Sequence, residues 1–352
     1  MKNKGVLYAL CAGISWGISL GIFGRTMTSF GFTAMQVSAV RTTISAITFI
    51  ILALVTDRKA FRLNPKDIWI FLCSGFISVT LFCWCYFTST RLCSLAVGGV
   101  LQYTAPVWVV VFSAVIFKEP ITKVKAAAML VAIAGCVLVS GITHGVGQVS
   151  AFGLVAGVFS GITYGSYTIF TRFAVPKYRT MTINVYTFIV ASATSLLLSG
   201  PVRTVSAVCT PKVLPVAIIG GIMCAAVPYY FYNKSLETLE NGKASILATI
   251  EPVIAVMVSV FYYKEPLSVE ALTGIALILG AVVILAIQKD GVPAKAGHQE
   301  VQAAKKDSYT EKRHLPGVIR AFFYQKAKKV PYQKRIFDFC KEKDKKAPAE
   351  VI

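Results

Sequence analysis

Ten apolar stretches, each close to the length a helix needs to cross the bilayer core, follow one another along this chain. They lie at about 5–24, 34–56, 68–88, 95–117, 124–142, 151–171, 181–200, 213–233, 244–263 and 269–288. Lipid offers the backbone no hydrogen-bond partners, so the expected fold is an all-α polytopic membrane protein with ten transmembrane helices. The connections are too short to build a separate catalytic domain. Composition agrees: 55% of residues are hydrophobic and 15% charged, against about 25% charged in soluble domains, which excludes a water-soluble enzyme. The first stretch follows Met-Lys-Asn-Lys but has spanning length and no small-residue cleavage pattern around residues 24–28, so it reads as a span, not a secretory signal.

Charge orders the connections. Numbered alternately, one side collects 14 basic residues: Lys2, Lys4, Arg58, Lys59, Arg62, Lys66, Lys118, Lys123, Lys125, Arg172, Lys177, Arg179, Lys234 and Lys243. The other side has five, Arg25, Arg91, Arg203, Lys212 and Lys264. The positive-inside rule therefore predicts both termini in the cytoplasm of a multi-pass protein of the cell membrane. Residues 289–352 hold a further 16 of the 36 Lys and Arg and form a basic cytoplasmic tail.

The chain also repeats itself. Residues 104–122 (TAPVWVVVFSAVIFKEPIT) align without gaps on 250–268 (IEPVIAVMVSVFYYKEPLS) with seven of 19 positions identical, including Pro106 with Pro252 and Lys-Glu-Pro with Lys-Glu-Pro. Gly13-Ile-Ser-Trp-Gly17 matches Gly161-Ile-Thr-Tyr-Gly165 at nearly the same offset, 148 against 146. Five spans separate the copies, and because five is odd the second copy is expected upside down. The predicted division is 1–142 for the first repeat, 150–288 for the second and 289–352 for the tail. Inverted repeats support alternating access, with the substrate site at mid-bilayer between the halves.

Ser15-Trp16-Gly17, the Pro106 and Pro252 spans ending in Lys-Glu-Pro, and the Ala-Gly and Leu-Gly near 134 and 279 resemble the paired EamA repeats of the drug/metabolite transporter superfamily. The likeness covers residues 5–288. It implies ten helices around a central cavity and, commonly, export of amino acids or other small metabolites. Two departures stand out: Tyr164 replaces the Trp16 of the first copy, and the basic tail has no counterpart in compact members.

Candidate functional residues follow from where polarity is spent inside apolar runs. Glu251 is the one acidic residue well within a span, and an ionisable group there is costly enough to be a functional candidate. It is the candidate for proton coupling; the alternative is a structural partner for the carbonyl that Pro252 frees. Arg41 could receive a substrate carboxylate, snorkel to the interface, or pair with Glu251. Trp16, Trp84, Tyr103, Tyr164 and Tyr229 combine apolar faces with polar tips, and Gln102 and Asn233 add amide hydrogen bonds, so these are further substrate-binding candidates. Pro106 and Pro252 are candidate hinges. The Glu119-Pro120 and Glu265-Pro266 pairs read as turn and cap residues. Glycines at 13, 17, 21, 157, 161 and 165 recur every four positions and permit close helix approach.

Other chemistry finds no support. No histidine lies in a span, there is no C-x-x-C, and Cys83-Trp84-Cys85 has no partner residues nearby, so neither a metal site nor a cofactor is expected. No phosphate-binding G-x-x-x-x-G-K-[ST] loop occurs. Residues 315–329 form a basic amphipathic stretch suited to an anionic lipid surface, while recognition elements for nucleic acid are missing. The expectation is a secondary transporter of small metabolites, not an enzyme. A membrane-embedded receptor or scaffold that keeps the fold without transport is the alternative.

Overall fold

Helix follows apolar run almost one for one. The structure, a computed structural model, describes residues 2–93, 95–139, 150–264 and 268–287. The helices are α1 (Lys2–Ser29), α2 (Ala34–Thr56), α3 (Pro65–Leu92), α4a (Leu95–Gln102), α4b (Ala105–Ile116) and α5 (Lys123–Val139) in the first repeat. The second has α6 (Ala151–Ala174), α7 (Thr180–Ser199), α8 (Leu214–Ser235), α9a (Asn241–Leu247), α9b (Glu251–Tyr263) and α10 (Val269–Ile287). Among the described residues eight stretches are long and apolar enough to cross a membrane. The remaining two are α5, with 17 described residues, and α6, whose Gly, Ser, Thr and Tyr content dilutes its hydropathy.

Local signals set the ends. Thr33 and Gln36 form a reciprocal capping box at the start of α2. Gly200, at φ 77°, ends α7, and Pro201 opens a short surface helix, Pro201–Val208, ahead of α8. The outer faces carry Val55, Leu197 and Ile287, each more than 70% exposed, as a lipid-facing surface requires. Hydroxyl pairs join helices inside, among them Ser74 with Thr187 at 2.8 Å, Ser78 with Ser166 at 2.7 Å and Thr43 with Ser192 at 2.8 Å.

The duplication is visible as paired contacts. α2 packs on α7, and α5 on α10, each helix on its own repeat mate. α1 crosses to α8 and α9, and α6 crosses to α3 and α4, again equivalent pairs. A Cβ at Gly17 would lie 2.6 Å from the Glu251 carbonyl oxygen, and one at Gly165 would lie 3.0 Å from that of Ala105, the residue aligned with Glu251. Lys118 and Lys264, both in the repeated Lys-Glu-Pro, share a left-handed backbone at φ 56° and 59°, an uncommon conformation for a side-chain-bearing residue. These pairings are those of two inverted five-helix repeats.

Two features depart from the continuous α-helices that hydropathy alone implies. α3 and α8 each contain a π-helical turn, Cys73–Leu81 and Ile222–Ala226, and the second falls within the first when shifted by 146 residues. The helices expected as continuous spans at 95–117 and 244–263 are both interrupted. α4 breaks at Tyr103–Thr104 and α9 passes through a 3₁₀ turn at Ala248–Ile250, with Pro106 and Pro252 in the first turn of the following half-helix.

Candidate substrate cavity

The two broken helices meet the two glycine-rich helices around an open cavity of about 40 Å³. α1 contributes Trp16 to its lining. The α4 break contributes Gln102, Tyr103, Ala105 and Pro106, and α6 contributes Tyr164, Gly165, Tyr167 and Thr168. Tyr229 and Tyr232 come from α8, and Ser245, Ala248, Thr249 and Glu251 from α9. Both repeats therefore furnish walls, and the pairs Trp16/Tyr164 and Ala105/Glu251 occupy matching positions in the two copies.

Four aromatic rings close into a cycle. Trp16 lies 5.2 Å from Tyr229 and 5.6 Å from Tyr232, while Tyr167 lies 4.9 Å from Tyr229 and 6.3 Å from Tyr232. The Trp16–Tyr229 and Tyr167–Tyr229 contacts are edge-to-face, the arrangement that ring quadrupoles favour. Thr168 and Tyr232 hydroxyls pair at 2.7 Å. Behind the rings the Asn233 amide donates to Tyr167 Oη at 2.8 Å and to Asn184 Oδ1, holding the phenol in place.

Glu251 is the only charged residue among those lining the cavity. It is 7% exposed, and its carboxylate has no hydrogen-bond or ion-pair partner among the described residues. The structure thus places this carboxylate in the cavity and does not use it to patch the backbone freed by Pro252. Surrounding rings with electron-rich faces and a bare carboxylate make the lining attractive to a positive group.

Arg41 is elsewhere. It is buried on α2, 8% exposed, does not line the cavity, and its guanidinium donates to Cys83 Sγ at 3.4 Å. It neither snorkels nor forms an ion pair with Glu251; the side chain is held inside the α2–α3 packing. Trp84 also differs from expectation. Phe82 and Tyr86, one turn apart, set the inward side of α3, with Phe82 4.9 Å from Tyr164, so Trp84 between them points the other way and is 45% exposed. Asn233 supports the wall without reaching the cavity, and Pro252 is buried beside it while Pro106 lines it. Tyr167, Tyr232, Thr168, Ser245 and Thr249 also line the cavity and are not singled out by residue type alone; the four-residue spacing of Tyr164 and Thr168 on α6, and of Ser245 and Thr249 on α9, is the available signal.

Glu119 lies in the turn between α4b and α5, and its side chain caps α9a by accepting the Asn241 backbone N–H at 3.2 Å. The same side chain is 9% exposed and lies 3.6 Å from Arg172, a contact the turn-and-cap reading did not include. Glu265 and Pro266, the corresponding pair, and the tail from residue 288 onward lie outside the described residues.

A cavity walled by two inverted, helix-interrupted repeats defines a membrane transporter of the two-repeat helical class. The family model described as the EamA-like transporter family matches residues 3–141 and 151–287, and the chain belongs to that family. It is 27% identical over 202 residues to an uncharacterized transporter of Archaeoglobus fulgidus, covering 56% of this chain and 70% of that one. It is also 22% identical over 307 residues to the uncharacterized transporter YetK of Bacillus subtilis, covering 83% and 91%. A solved protein crystal structure at 20% identity superimposes with a TM-score of 0.68 over 81% of this chain and 96% of that chain, which shows the shared fold.

Proposed function

We propose that this protein is a secondary transporter that moves small amine-bearing metabolites, amino acids or related compounds, across the cell membrane by alternating access. The carrying observation is the bare Glu251 carboxylate in an aromatic cavity between the two repeats: it offers a protonated amine an ionic partner and ring faces at once. Trp16, Tyr164 and Tyr229 cradle the substrate, and Gln102 and Tyr103 at the α4 break supply hydrogen bonds. Glu251 is also the group through which a proton gradient drives the cycle, and Pro106 and Pro252 are the points about which the half-helices swing. Arg41 reaches a substrate carboxylate only if α2 and α3 shift. Export is the direction the family resemblance implies.

In this reading residues 1–142 and 150–288 are the two moving halves, both termini are cytoplasmic by the charge count, and the basic tail of residues 289–352 rests on anionic lipid. Purified protein reconstituted into proteoliposomes should accumulate or release labelled amino acids and amines, faster when a proton gradient is imposed. A chain that binds these solutes yet gives no flux above empty vesicles would instead be a receptor or scaffold.

A further inference from the structure

The two broken helices are equivalent by sequence and unequal in packing. α9a is buried along most of its length: Asn241, Ala244, Ile246 and Leu247 are at 0% exposure and Lys243 at 3%. It wedges against α4b, α5 and α6 of the neighbouring elements as well as α1 and α10. Its repeat mate α4a packs on α3, α5 and α6 but has no packing of comparable extent on α9b, α10 or α1, and a Cβ at Gly99 would meet nothing within 4 Å. Among the described residues the packing is therefore tighter on the face where α9a begins, which is the face carrying Lys118, Lys125, Arg172, Lys234 and Lys243, than on the face where α4a begins.

Ionic and amide groups from both repeats hold that tighter face. Lys125 at the start of α5 donates to Glu240 Oε2 at 2.7 Å and to the Pro120 carbonyl at 3.0 Å. Arg172 near the end of α6 donates to the Leu236 and Leu239 carbonyls at 3.1 and 3.0 Å and faces Glu119 at 3.6 Å. Asn241 donates its side-chain amide to Ser113 Oγ at 3.0 Å and its backbone N–H to Glu119. The Lys125, Glu240, Arg172, Glu119, Asn241 and Ser113 side chains are all largely buried, and Ser245, which lines the cavity, stands one helical turn from Asn241 on α9a.

The fit is incomplete in a telling way. Among the described residues, Glu119 Oε2 and Asn241 Oδ1 are buried without a hydrogen-bond partner. Burial lifts the Glu119 carboxyl above the ordinary carboxylate range while Arg172 pulls it back. A permanent brace would have these atoms satisfied; an arrangement that must open during each cycle cannot be bonded too well.

We propose that Glu119, Arg172, Lys125 and Glu240 form a latch that closes the basic face of the cavity, and that swinging α9a away from α4b and α6 requires this latch to break. The latch is independent of which metabolite is carried. Its test uses the full chain in proteoliposomes, with its nine native cysteines replaced by serine and a single thiol introduced by Ser245→Cys. The probe is the membrane-impermeant cation methanethiosulfonate-ethyltrimethylammonium, added from either side. With the latch intact, labelling from the basic face should be slow. Glu119→Ala or Arg172→Ala should speed labelling from that face by about tenfold or more, because each leaves a buried charge alone. Arg172→Lys, which keeps a cation facing Glu119 and a donor for the Leu236 and Leu239 carbonyls, should label more slowly than Arg172→Ala, which a merely misfolded variant would not. Unchanged labelling in the monodisperse alanine variants, or Arg172→Lys labelling as fast as Arg172→Ala, would overturn the latch.

Discussion

At the scale of single residues, burial decides which charges can act. Glu251 and Arg41 are both buried and neither is ion-paired among the described residues, but only Glu251 opens on the cavity. Replacing Glu251 by Gln keeps the shape and removes the titrating group. The expected outcome is a folded protein whose flux no longer responds to an imposed proton gradient; a preserved pH response in vesicles would move coupling to another group. Asn233 is the contrasting case. Asn233→Ala strips Tyr167 and Asn184 of their buried partner and should cost about 1–3 kcal/mol of stability, seen as a lower midpoint of thermal unfolding in detergent, with substrate affinity lost only as the Tyr167 ring loosens. The sequence made Glu251 legible, because a lone acid in an apolar run has few innocent explanations. It could not separate Asn233 the scaffold from Asn233 the ligand, since both uses demand the same amide at the same depth.

At the scale of elements, the repeat turns one contact into two. Gly75 on α3 faces Val190 on α7, and Gly221 on α8 faces Ile44 on α2; in both, an added Cβ would sit 2.6 Å from the neighbour's Cβ. Each glycine is next to or inside a π-helical turn, where the ladder is already altered. Gly75→Val and Gly221→Val should therefore overpack equivalent seams and destabilise by similar amounts, about 1–3 kcal/mol each, measurable as matched drops in unfolding temperature. A large difference between the two would mean that the seams, though alike in geometry, carry unequal load. The span boundaries were readable from hydropathy alone. The breaks in α4 and α9 were hinted at by Pro106 and Pro252, and Pro228 stands just past the π turn of α8, but the π turn of α3 has no proline or charge to mark it.

At the scale of the whole molecule, inversion is the property on which the mechanism stands. Lys123 and Val269 open α5 and α10, are exposed, and differ by the repeat offset of 146 residues. Cysteines placed at the two positions should react with an impermeant thiol reagent from opposite sides of sealed vesicles. Labelling of both from one side would remove the inverted architecture and alternating access with it.

The chain by itself determined that ten helices cross a membrane, that they come as two copies and that an odd count turns one copy over, because apolar length, charge bias and internal identity are properties of linear order. Tertiary structure alone decided that Trp84 faces outward, that Arg41 is buried against Cys83 and that Glu119 belongs to a buried ionic cluster. Those outcomes depend on how helices rotate about their axes and which of two equivalent half-helices packs the tighter, and both are set by neighbours that lie far away along the chain.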